Sequence, residues 1–375
     1  MTDFKGFNVQ ELEELLEQHD GQMLIFENGQ AKAVILDPNR YPNLFQEEQK
    51  KGKILVTGGA GYVGSTTVET LLEEGHDVVV LDNLYSGKAS NVSCPMIVGD
   101  VGDSKILDKI FSENKIDTVI HFAAFSKVEE SVNYPEKYFH NNVVNGITLL
   151  NSMNKYGVKN LIFSSTAAVY GDPTEVPITE EHECVPTSPY GESKLIFEKI
   201  IKWYANAHDL SAVIFRYFNA AGASISGNLG ETREEVTHII PKTLRVAARQ
   251  DEELKIFGHD YPTFDGTAIR DYVHVNDLAL AHVLALHKLE KDKGVFIFNI
   301  GTGEGHSVNQ VVDCVMEQTG KMVMTEYEER RVGDPAMLVA DVTKAANELG
   351  FVTQFSDLET IIDTAWVWHK NRFRL

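Results

Sequence analysis

Basic residues, cysteines and long apolar runs are all scarce in this 375-residue chain. Only 34 basic residues face 55 acidic ones, which gives a net charge of -21, and no lysine- or arginine-rich block stands out. Because phosphate-rich surfaces attract positive charge, this balance argues against nucleic acid and anionic membranes as partners. No apolar run approaches the roughly 18 residues that cross a bilayer, and the polar, acidic N-terminal residues do not predict a targeting or anchoring segment.

The three cysteines, Cys94, Cys184 and Cys314, are far apart and have no CxxC or other metal-type spacing. An odd number of widely separated cysteines is more typical of reduced thiols than of a disulfide framework. We therefore expect a cytoplasmic protein without a metal site.

The chain does contain enough apolar sequence, 43% of its residues, for a large core and more than one domain. From Lys53 onward, short apolar runs such as "DVVVLDN" (77–83) alternate with helical patterns. This alternation predicts an α/β fold, a Rossmann-type doubly wound parallel sheet at 51–219. At 220–375 the pattern loosens, which predicts a smaller α/β substrate-binding region, with part of it (about 270–301) returning to the main sheet.

Residues 1–50 are predicted to form a separate, short α+β extension. "VQELEELLEQH" has helical periodicity, and "QMLIFENGQAKAVILD" indicates two strands joined by a turn at Asn28-Gly29. The segment loosely resembles the N-terminal part of prevent-host-death-type antitoxins, which are small dimerising modules. The alternative is an appendage that packs on the rest of the chain.

The stretch "VTGGAGYVGS" has the features of a dinucleotide-binding turn. Gly58, Gly61 and Gly64 follow an apolar strand and open a predicted helix, where glycine allows close approach of a pyrophosphate and the helix start favours an anion. A second strand ends in Asp82, eighteen residues after Gly64. A carboxylate there accepts hydrogen bonds from both adenosine ribose hydroxyls and repels a 2′-phosphate, which favours NAD over NADP. Glycines that merely shape a turn are the less favoured interpretation.

Two further strand ends fit this interpretation. Asp100 in "VGDV" is placed to reach the adenine side, and "HFAA" (121–124) offers small residues where the dinucleotide passes closely. For His121 itself we favour a buried, hydrogen-bonded histidine over a catalytic one.

In "SPYGESK", Tyr190 lies one helical turn before Lys194, so both side chains share one face. Tyrosine has a reference pKa of about 10, and an ammonium at about 4 Å in an effective dielectric near 20 contributes on the order of 4 kcal/mol, enough to make it a base near neutral pH. Taken alone, the spacing is more typical of a solvated helix surface. The preceding "FSSTAAVYG" places Ser164, Ser165 and Thr166 at the carboxyl edge of the sheet and favours a hydride-transfer site.

These motifs, with "RYFNAAGA" (216–223), "DGTAIRDYVHVNDLALAH" (265–282) and "RRVGDPAMLVAD" (330–341), resemble the extended short-chain dehydrogenases/reductases and, among them, the UDP-glucose 4-epimerases. The resemblance runs from about Lys53 to the last residue. It implies an NAD-dependent isomerase in which a base takes the proton of the sugar 4-hydroxyl while hydride passes from C4 to tightly bound NAD. The 4-keto sugar then rotates and receives the hydride on its other face.

The resemblance also implies a role for individual residues. Tyr190 would be the base, Thr166 would assist the proton transfer, and Lys194 would hold the nicotinamide ribose and depress the tyrosine pKa. The implied cofactor-binding residues are Gly58, Gly61, Tyr62, Val63, Gly64, Asp82, Asn83, Asp100, Val101, Phe122, Ala123, Ala124, Asn141, Ser164, Tyr190, Lys194 and Tyr217. The implied substrate-binding residues are Thr166, Asn219, Phe257, Arg270, Arg331, Asp334 and Leu338.

Among these substrate contacts, Asn219 would meet the diphosphate, Phe257 would border the uracil, and Arg270 with Arg331 and Asp334 would clamp the diphosphate and uridine ribose. Arginine suits this task because its planar fork binds phosphate oxygens in pairs. For each arginine taken alone, a surface ion pair is the default interpretation.

Two departures refine the expected reaction. Related 4,6-dehydratases need an acidic pair just after the hydroxyl residue, and Ala167 and Ala168 stand there instead. Leu338 occupies a position where some relatives have a bulky tyrosine that gates the sugar pocket, so activity on UDP-N-acetyl sugars is a hypothesis. UDP-xylose remains open as a substrate, a net dehydrogenase and a non-catalytic NAD sensor remain rival functions, and a homodimer is expected.

Overall fold

The computed structural model describes residues 22–27, 30–36, 52–233, 236–331 and 333–374. The chain forms two compact units, Met1–Lys51 and Gly52–Leu375. In the first unit, β1 (Gln22–Glu27) pairs antiparallel with β2 (Gln30–Leu36). The two predicted strands are therefore present, whereas the predicted helix at 9–19 and the turn at Asn28-Gly29 lie outside the described residues.

The second unit is built on a sheet of seven parallel strands. They are β3 (Lys53–Thr57), β4 (Val78–Asp82), β5 (Met96–Val98), β6 (Ile116–His121), β7 (Asn160–Thr166), β8 (Ser211–Tyr217) and β13 (Val295–Ile300). The spatial order is β13-β8-β7-β6-β3-β4-β5, so the chain runs outward from β3 in both directions. The carboxyl end of β3 is therefore the switch point at which doubly wound sheets bind ligands.

Helices cover both faces of this sheet. The α-helices of the unit are α1 (Tyr62–Glu73), α2 (Ser104–Glu113), α3 (Val128–Asn133), α4 (Pro135–Phe139), α5 (Asn145–Lys155), α6 (Pro189–His208), α7 (Ile239–Ala247), α8 (Val275–Lys291), α9 (Val308–Thr319), α10 (Thr343–Leu349) and α11 (Leu358–Phe373). Neighbouring residues of β3 enter different cores, because side chains alternate along a strand. Val56 packs with Leu71 of α1 and Leu278 of α8, whereas Leu55 packs with residues of α2, α5 and α6. The predicted fold class is confirmed.

Three small sheets form the other half of this unit. Their strands are β9 (Asn219–Ala221), β10 (Leu254–Phe257), β11 (Ile269–Arg270), β12 (Tyr272–His274), β14 (His306–Ser307), β15 (Thr325–Glu328) and β16 (Met337–Leu338). They pair as β14-β11-β16, β12-β9 and β10-β15. Between β12 and β14 along the chain, β13 joins the large sheet beside β8, so the chain leaves the main sheet after β8, returns to it at β13 and leaves it again.

Within the part of the chain that is described, no helix combines the length and apolarity needed to cross a bilayer.

Candidate active site

A cleft of about 1530 Å³ opens at the carboxyl ends of the parallel strands. All residues that the sequence singled out for cofactor, substrate or catalysis line it. They come from the carboxyl ends of β3 to β8 and the segments that follow β3 to β6, from the π-helical turn His140–Val144, from the first turns of α6, and from the small sheets with the loop before β16. The fold thus gathers residues that are up to 280 positions apart, from Gly58 to Leu338, in one cavity.

The glycine turn after β3 is a backbone cradle in which side chains do not fit. Gly58 has φ +75°, and a Cβ there would lie 2.6 Å from the backbone nitrogen of Ala123. A Cβ on Gly64 would lie 2.3 Å from the carbonyl oxygen of Gly58. Gly61 caps α1 without a side-chain hydrogen bond, so the first N–H groups of the helix suit an anion in the cleft.

Asp82 is held by two backbone amides at the end of β4. Its Oδ2 accepts the Ala60 N–H at 2.9 Å and its Oδ1 accepts the Leu84 N–H at 2.8 Å. Each carboxylate oxygen keeps further acceptor capacity for the two hydroxyls of a ribose. Together with the glycine cradle, this carboxylate fits a dinucleotide that carries a free 2′-hydroxyl.

Asp100 anchors the neighbouring part of the cleft. Its Oδ1 accepts the Gly102 N–H at 2.7 Å and the Asn145 amide at 3.0 Å, and its Oδ2 accepts the Asn83 amide at 2.9 Å. These bonds tie the loops after β4 and β5 to α5, so Asp100 stabilises the side of the cavity at which the adenosine is expected.

Asn142 is a positioning residue that the sequence did not single out. It lies in the π-helical turn His140–Val144, and its side chain bonds both backbone groups of Phe125 as well as Ser193 Oγ on α6, at 2.9–3.0 Å. The sequence of this turn has an ordinary helical pattern, so the π-helical geometry, which is frequent at functional sites, is seen only in the structure. Asn142 thereby fixes the segment after β6, which includes Ala123 and Ala124, relative to the helix that carries Tyr190.

The predicted proton-transfer residues converge at the start of α6. Ser188 caps this helix by accepting the Gly191 N–H, and Pro189 occupies its first turn. The Tyr190 hydroxyl has a side-chain hydrogen bond with Thr166, and Lys194 Nζ donates to the Ser164 carbonyl oxygen at 2.6 Å. A helix start and a strand end thus present a phenol, a hydroxyl and an ammonium to the same part of the cleft.

The electrostatics of this trio differ from the expectation in one respect. Burial raises the pKa of Tyr190. The Thr166 hydrogen bond and the charge of Arg233 lower it, but by less. Burial lowers the pKa of Lys194 to about 7, although the charge of Glu198 acts to raise it. The pKa of Tyr190 therefore lies above its ordinary value, because desolvation outweighs the charge of Arg233. The lowering of this pKa by Lys194 stays a prediction.

A buried ion pair lies behind Lys194 and was not predicted. Arg216 of β8 and Glu198 of α6 pair at 2.7 Å with side chains 4% and 1% exposed. Glu198 also accepts the Ser165 hydroxyl at 2.5 Å, and Arg216 donates to the Tyr170 hydroxyl at 3.0 Å. The Ser165 hydroxyl therefore belongs to this network. Of the three hydroxyl residues, Ser164 and Thr166 remain for the site that contains Tyr190 and Lys194.

His121 lies at the end of β6 and is 3% exposed. Its Nδ1 and the Thr57 hydroxyl are 2.7 Å apart. Burial, followed by the charge of Lys194, lowers its pKa to about 3. The favoured interpretation, a buried hydrogen-bonded histidine, agrees with this environment.

The small sheets contribute the predicted substrate residues. Arg270 is buried and forms an ion pair with Asp334, and its Nη1 donates to the Ile269 carbonyl oxygen at 2.7 Å. The Arg331 guanidinium lies 4.0 Å from the centre of the Phe257 ring. This arrangement gives the cleft two cations and an aromatic surface, which suits a diphosphate next to a flat base.

Asn219 and Leu338 complete this wall. The Asn219 N–H donates to the Asp271 carbonyl oxygen at 2.9 Å, which leaves its side-chain amide to the cleft. Leu338 is half-buried and packs on the cluster that contains Ala167 and Val169. Ala167 and Ala168 themselves line the cleft in a 3₁₀ turn after Thr166, so this turn presents no acid.

Comparison with known proteins agrees with this arrangement. Residues 54–301 match the Epimerase model, described as the NAD dependent epimerase/dehydratase family. A UDP-glucose 4-epimerase of Halalkalibacterium halodurans is 50% identical over 318 residues, which is 84% of this chain and 95% of that protein.

Two solved structures are similar over nearly their whole length. The UDP-glucose 4-epimerase of Brucella ovis in complex with NAD superposes with a TM-score of 0.82 at 44% identity, over 84% of this chain and 97% of that one. The UDP-Glc/GlcNAc 4-epimerase of Campylobacter jejuni superposes with a TM-score of 0.75 at 38% identity, over 85% and 99%.

Proposed function

Because the chain belongs to the NAD dependent epimerase/dehydratase family, we propose that it is an NAD-dependent enzyme that interconverts UDP-glucose and UDP-galactose at C4. The observation that carries the proposal is the meeting of Thr166, Tyr190 and Lys194 with the glycine cradle in one cleft. The alanines after Thr166 support epimerisation over dehydration, since the latter needs an acid there.

In this proposal the protein residues move the proton and hold the sugar nucleotide. The glycine cradle and Asp82 would hold NAD, which would supply a hydride acceptor for C4 that is regenerated in every turnover, so the reaction would have no net redox change. Tyr190 takes the proton of the 4-hydroxyl, Thr166 shares a hydrogen bond with it, and Lys194 places a positive charge one helical turn away. The proton then returns from Tyr190 to the sugar oxygen after the 4-keto sugar has turned.

The substrate half supports that turn of the sugar. Arg270 and Arg331 would hold the diphosphate while Phe257 borders the uracil, so the nucleotide stays fixed while the hexose presents either face. Asp334 orients Arg270 through their ion pair, and Asn219 lies beside them in the cleft. Binding energy at the unreactive end thus keeps the keto sugar in the site.

The test is an equilibrium assay with UDP-galactose and no added NAD, read by sugar analysis of the product. We expect UDP-glucose to form, and Tyr190→Phe to lower turnover by about 10²–10⁴-fold while bound NAD remains. Tyr156→Phe, a tyrosine outside the cleft, should retain the full rate. Steady release of NADH would instead identify a net dehydrogenase, and NAD binding without turnover would identify a sensor.

A second substrate class is supported by Leu338. This side chain lines the cleft, and leucine is smaller than the tyrosine of some relatives, so we propose that the site also accepts UDP-N-acetylglucosamine. Leu338→Tyr should abolish that activity while the UDP-galactose rate stays within a few-fold. No turnover of UDP-N-acetylglucosamine by the unmodified enzyme would contradict this extension and leave UDP-xylose/UDP-arabinose as the remaining alternative.

A homodimer is the expected assembly. Trp203 on α6 is 72% exposed, and the adjacent Tyr204 bonds Asn151 of α5 at 2.7 Å, so an exposed aromatic side chain lies beside the contact between the two helices. Exposed aromatic side chains are enriched in protein interfaces. In the protein without residues 1–50, Trp203→Glu should halve the mass measured by light scattering, and a dimer that persists there would exclude this surface.

For residues 1–50 we propose a separate dimerising module, with 51–219 and 220–375 as the cofactor and substrate regions. β1 and β2 form a two-stranded sheet, and such a hairpin is marginally stable alone. Deleting residues 1–50 should therefore lower the oligomer mass but leave the epimerase rate. The free thiols Cys94, Cys184 and Cys314 support a reducing, cytoplasmic setting.

A further inference from the structure

The loop after β4 is fixed at both ends to the glycine turn. At its start, Asp82 accepts the Ala60 N–H at 2.9 Å, and at its end the Lys88 N–H donates to the Ala60 carbonyl oxygen at 3.2 Å. Gly87 passes so close to the turn that a Cβ there would lie 2.6 Å from the Ala60 carbonyl carbon. Residues 83–87 therefore form a short strap beside the glycine cradle.

The middle of this strap contacts the segment that follows β6. The Tyr85 ring lies 4.7 Å from the Phe125 ring, edge to face, which is a favourable geometry for an aromatic pair. Lys137 Nζ donates to the Tyr85 hydroxyl at 3.0 Å and lies 4.5 Å from the centre of the Phe125 ring. Glu130 pairs with the same ammonium at 2.8 Å. This contact of Tyr85 with Phe125 and Lys137, the clasp, joins two separate loops.

The strand order places the clasp across the glycine cradle. In the large sheet β3 lies between β6 and β4, and the strap follows β4 whereas Phe125 follows β6. Because adjacent strands are about 4.8 Å apart, the clasp spans a gap of roughly 10 Å above the carboxyl end of β3, where the glycine turn begins. Tyr85 and Phe125 both line the cleft, so the clasp borders the cavity that contains the cradle.

The two sides of the clasp are held unequally. On one side, buried Asn142 bonds both backbone groups of Phe125 at 2.9 and 3.0 Å, and the hydroxyl of buried Tyr138 accepts the Lys127 N–H at 3.1 Å. On the other side, the Tyr85 side chain is 60% exposed. Segments with few buried contacts open at the lowest free-energy cost, so the strap is the side of the clasp that opens.

A cluster of the same composition on the surface offers a matched control. The Lys155 ammonium lies 5.1 Å from the centre of the Tyr156 ring, and that ring stacks at 5.8 Å on Phe111. Asp108 pairs with this ammonium at 2.7 Å. The cluster repeats the lysine, tyrosine, phenylalanine and carboxylate of the clasp, but it lies outside the cleft.

We propose that Tyr85, held by Phe125 and Lys137, is a positioning residue that closes the strap over the pyrophosphate side of bound NAD and sets the rate at which NAD leaves. The glycine cradle and Asp82 supply the polar contacts for the cofactor, and the clasp must open before the cofactor moves out. The proposal depends on NAD binding and not on which sugar is converted, so it holds or fails independently of the epimerase assay.

The test measures the release of NAD from the loaded protein. The NAD-loaded protein is mixed with an excess of isotopically labelled NAD, and the exchange of bound cofactor is followed by rapid filtration and mass spectrometry. We expect Tyr85→Ala to accelerate the exchange about tenfold, and Tyr85→Phe, which keeps the ring and loses the bond to Lys137, to accelerate it about threefold. Tyr156→Ala should leave the exchange rate unchanged.

A second variant distinguishes the clasp from a direct contact between Tyr85 and NAD. Lys137→Met removes the ammonium that holds both rings, so it should accelerate the exchange about as much as Tyr85→Phe does. Lys155→Met, which removes the corresponding ammonium of the surface cluster, should leave the rate unchanged. The urea midpoint of Tyr85→Ala should stay close to that of the unmodified protein, because the side chain is largely exposed.

An unchanged exchange rate in Tyr85→Ala would overturn the proposal, and so would an equal acceleration in Tyr156→Ala. Acceleration in Tyr85→Ala without any in Lys137→Met would assign the effect to a direct contact with NAD and would also overturn the clasp. If Tyr85→Ala does not fold, Tyr85→Phe and Lys137→Met decide, since unchanged rates in both would overturn the proposal.

Discussion

Gly64 shows how a single residue decides whether the cleft accepts a dinucleotide. A methyl group there would lie 2.3 Å from the Gly58 carbonyl oxygen, so the turn must open before any side chain fits. The opening displaces the first turn of α1, whose N–H groups face the expected pyrophosphate.

We therefore expect Gly64→Ala to weaken NAD binding at least tenfold. The measurement is the NAD content of purified protein, together with titration of added NAD by calorimetry. Gly157→Ala is the control for steric crowding, because no atom of the described residues lies within 4 Å of its added methyl group, although Gly157, unlike Gly64, has a positive φ of +73° that disfavours a side chain. It should lose stability and keep its NAD; a Gly64→Ala protein with full NAD content would contradict the cradle.

For Tyr190, in contrast to Gly64, the residue type alone does not decide the behaviour of the site. Its spacing to Lys194 indicates a base with its activator, but burial raises the pKa of the phenol by more than the neighbouring Thr166 hydroxyl lowers it. Residue identity and spacing therefore predict which residues react, whereas the surrounding side chains and the degree of burial decide their protonation states.

At the scale of elements, α6 carries three functional residues at intervals of four, Tyr190, Lys194 and Glu198. Side chains at this spacing share a helix face, and here that face lies against β7 and β8. Glu198 meets Arg216 of β8 in a pair that is almost fully buried, so the helix is tied to the sheet directly behind the proton-transfer residues.

Removing one partner of this pair leaves a buried, uncompensated charge. We expect Glu198→Ala to lower the free energy of unfolding by about 3–5 kcal/mol, measured by urea denaturation. The double variant Glu198→Leu/Arg216→Met should recover most of that loss because it removes both charges. Asp108→Ala, which breaks the exposed pair with Lys155, should cost less than about 1 kcal/mol; equal losses in the two single variants would contradict the role of burial.

At the scale of the whole molecule, buried histidines link stability to pH. Burial lowers the pKa of His282 to about 4 and that of His121 to about 3, against about 6.5 in an unfolded chain. Between pH 6.5 and 4 the unfolded state therefore binds more protons than the folded state. Stability is full above pH 6.5 and falls as the pH decreases through that window.

From pH 7 to pH 5 we expect each of these histidines to cost about 2 kcal/mol of unfolding free energy. Urea denaturation at the two pH values measures the difference. His282→Gln should reduce the difference in unfolding free energy between pH 7 and pH 5 by about 2 kcal/mol, even though it lowers stability at both pH values. An unchanged difference would contradict the role of His282 in the pH dependence.

Most of the fold and the residues of the candidate site could be predicted from the sequence. Apolar strands, the glycine turn, Asp82 and the pair Tyr190–Lys194 are local patterns, and local patterns follow from backbone geometry and spacing alone. Even the gathering of distant motifs in one cleft follows from a general rule, because parallel strands end at the same edge of the sheet.

Contacts between residues that are far apart in the sequence depend on the packing of separate elements and could not be predicted from spacing. Glu198 meets Arg216, Asn142 holds Phe125, and Arg233 reaches Ser126 because separate elements pack together. The same holds for the pKa values of Tyr190 and Lys194, since desolvation depends on everything that surrounds a group and not on its neighbours in the chain. The sequence therefore predicts which residues take part in the reaction, whereas packing decides the protonation states of their side chains.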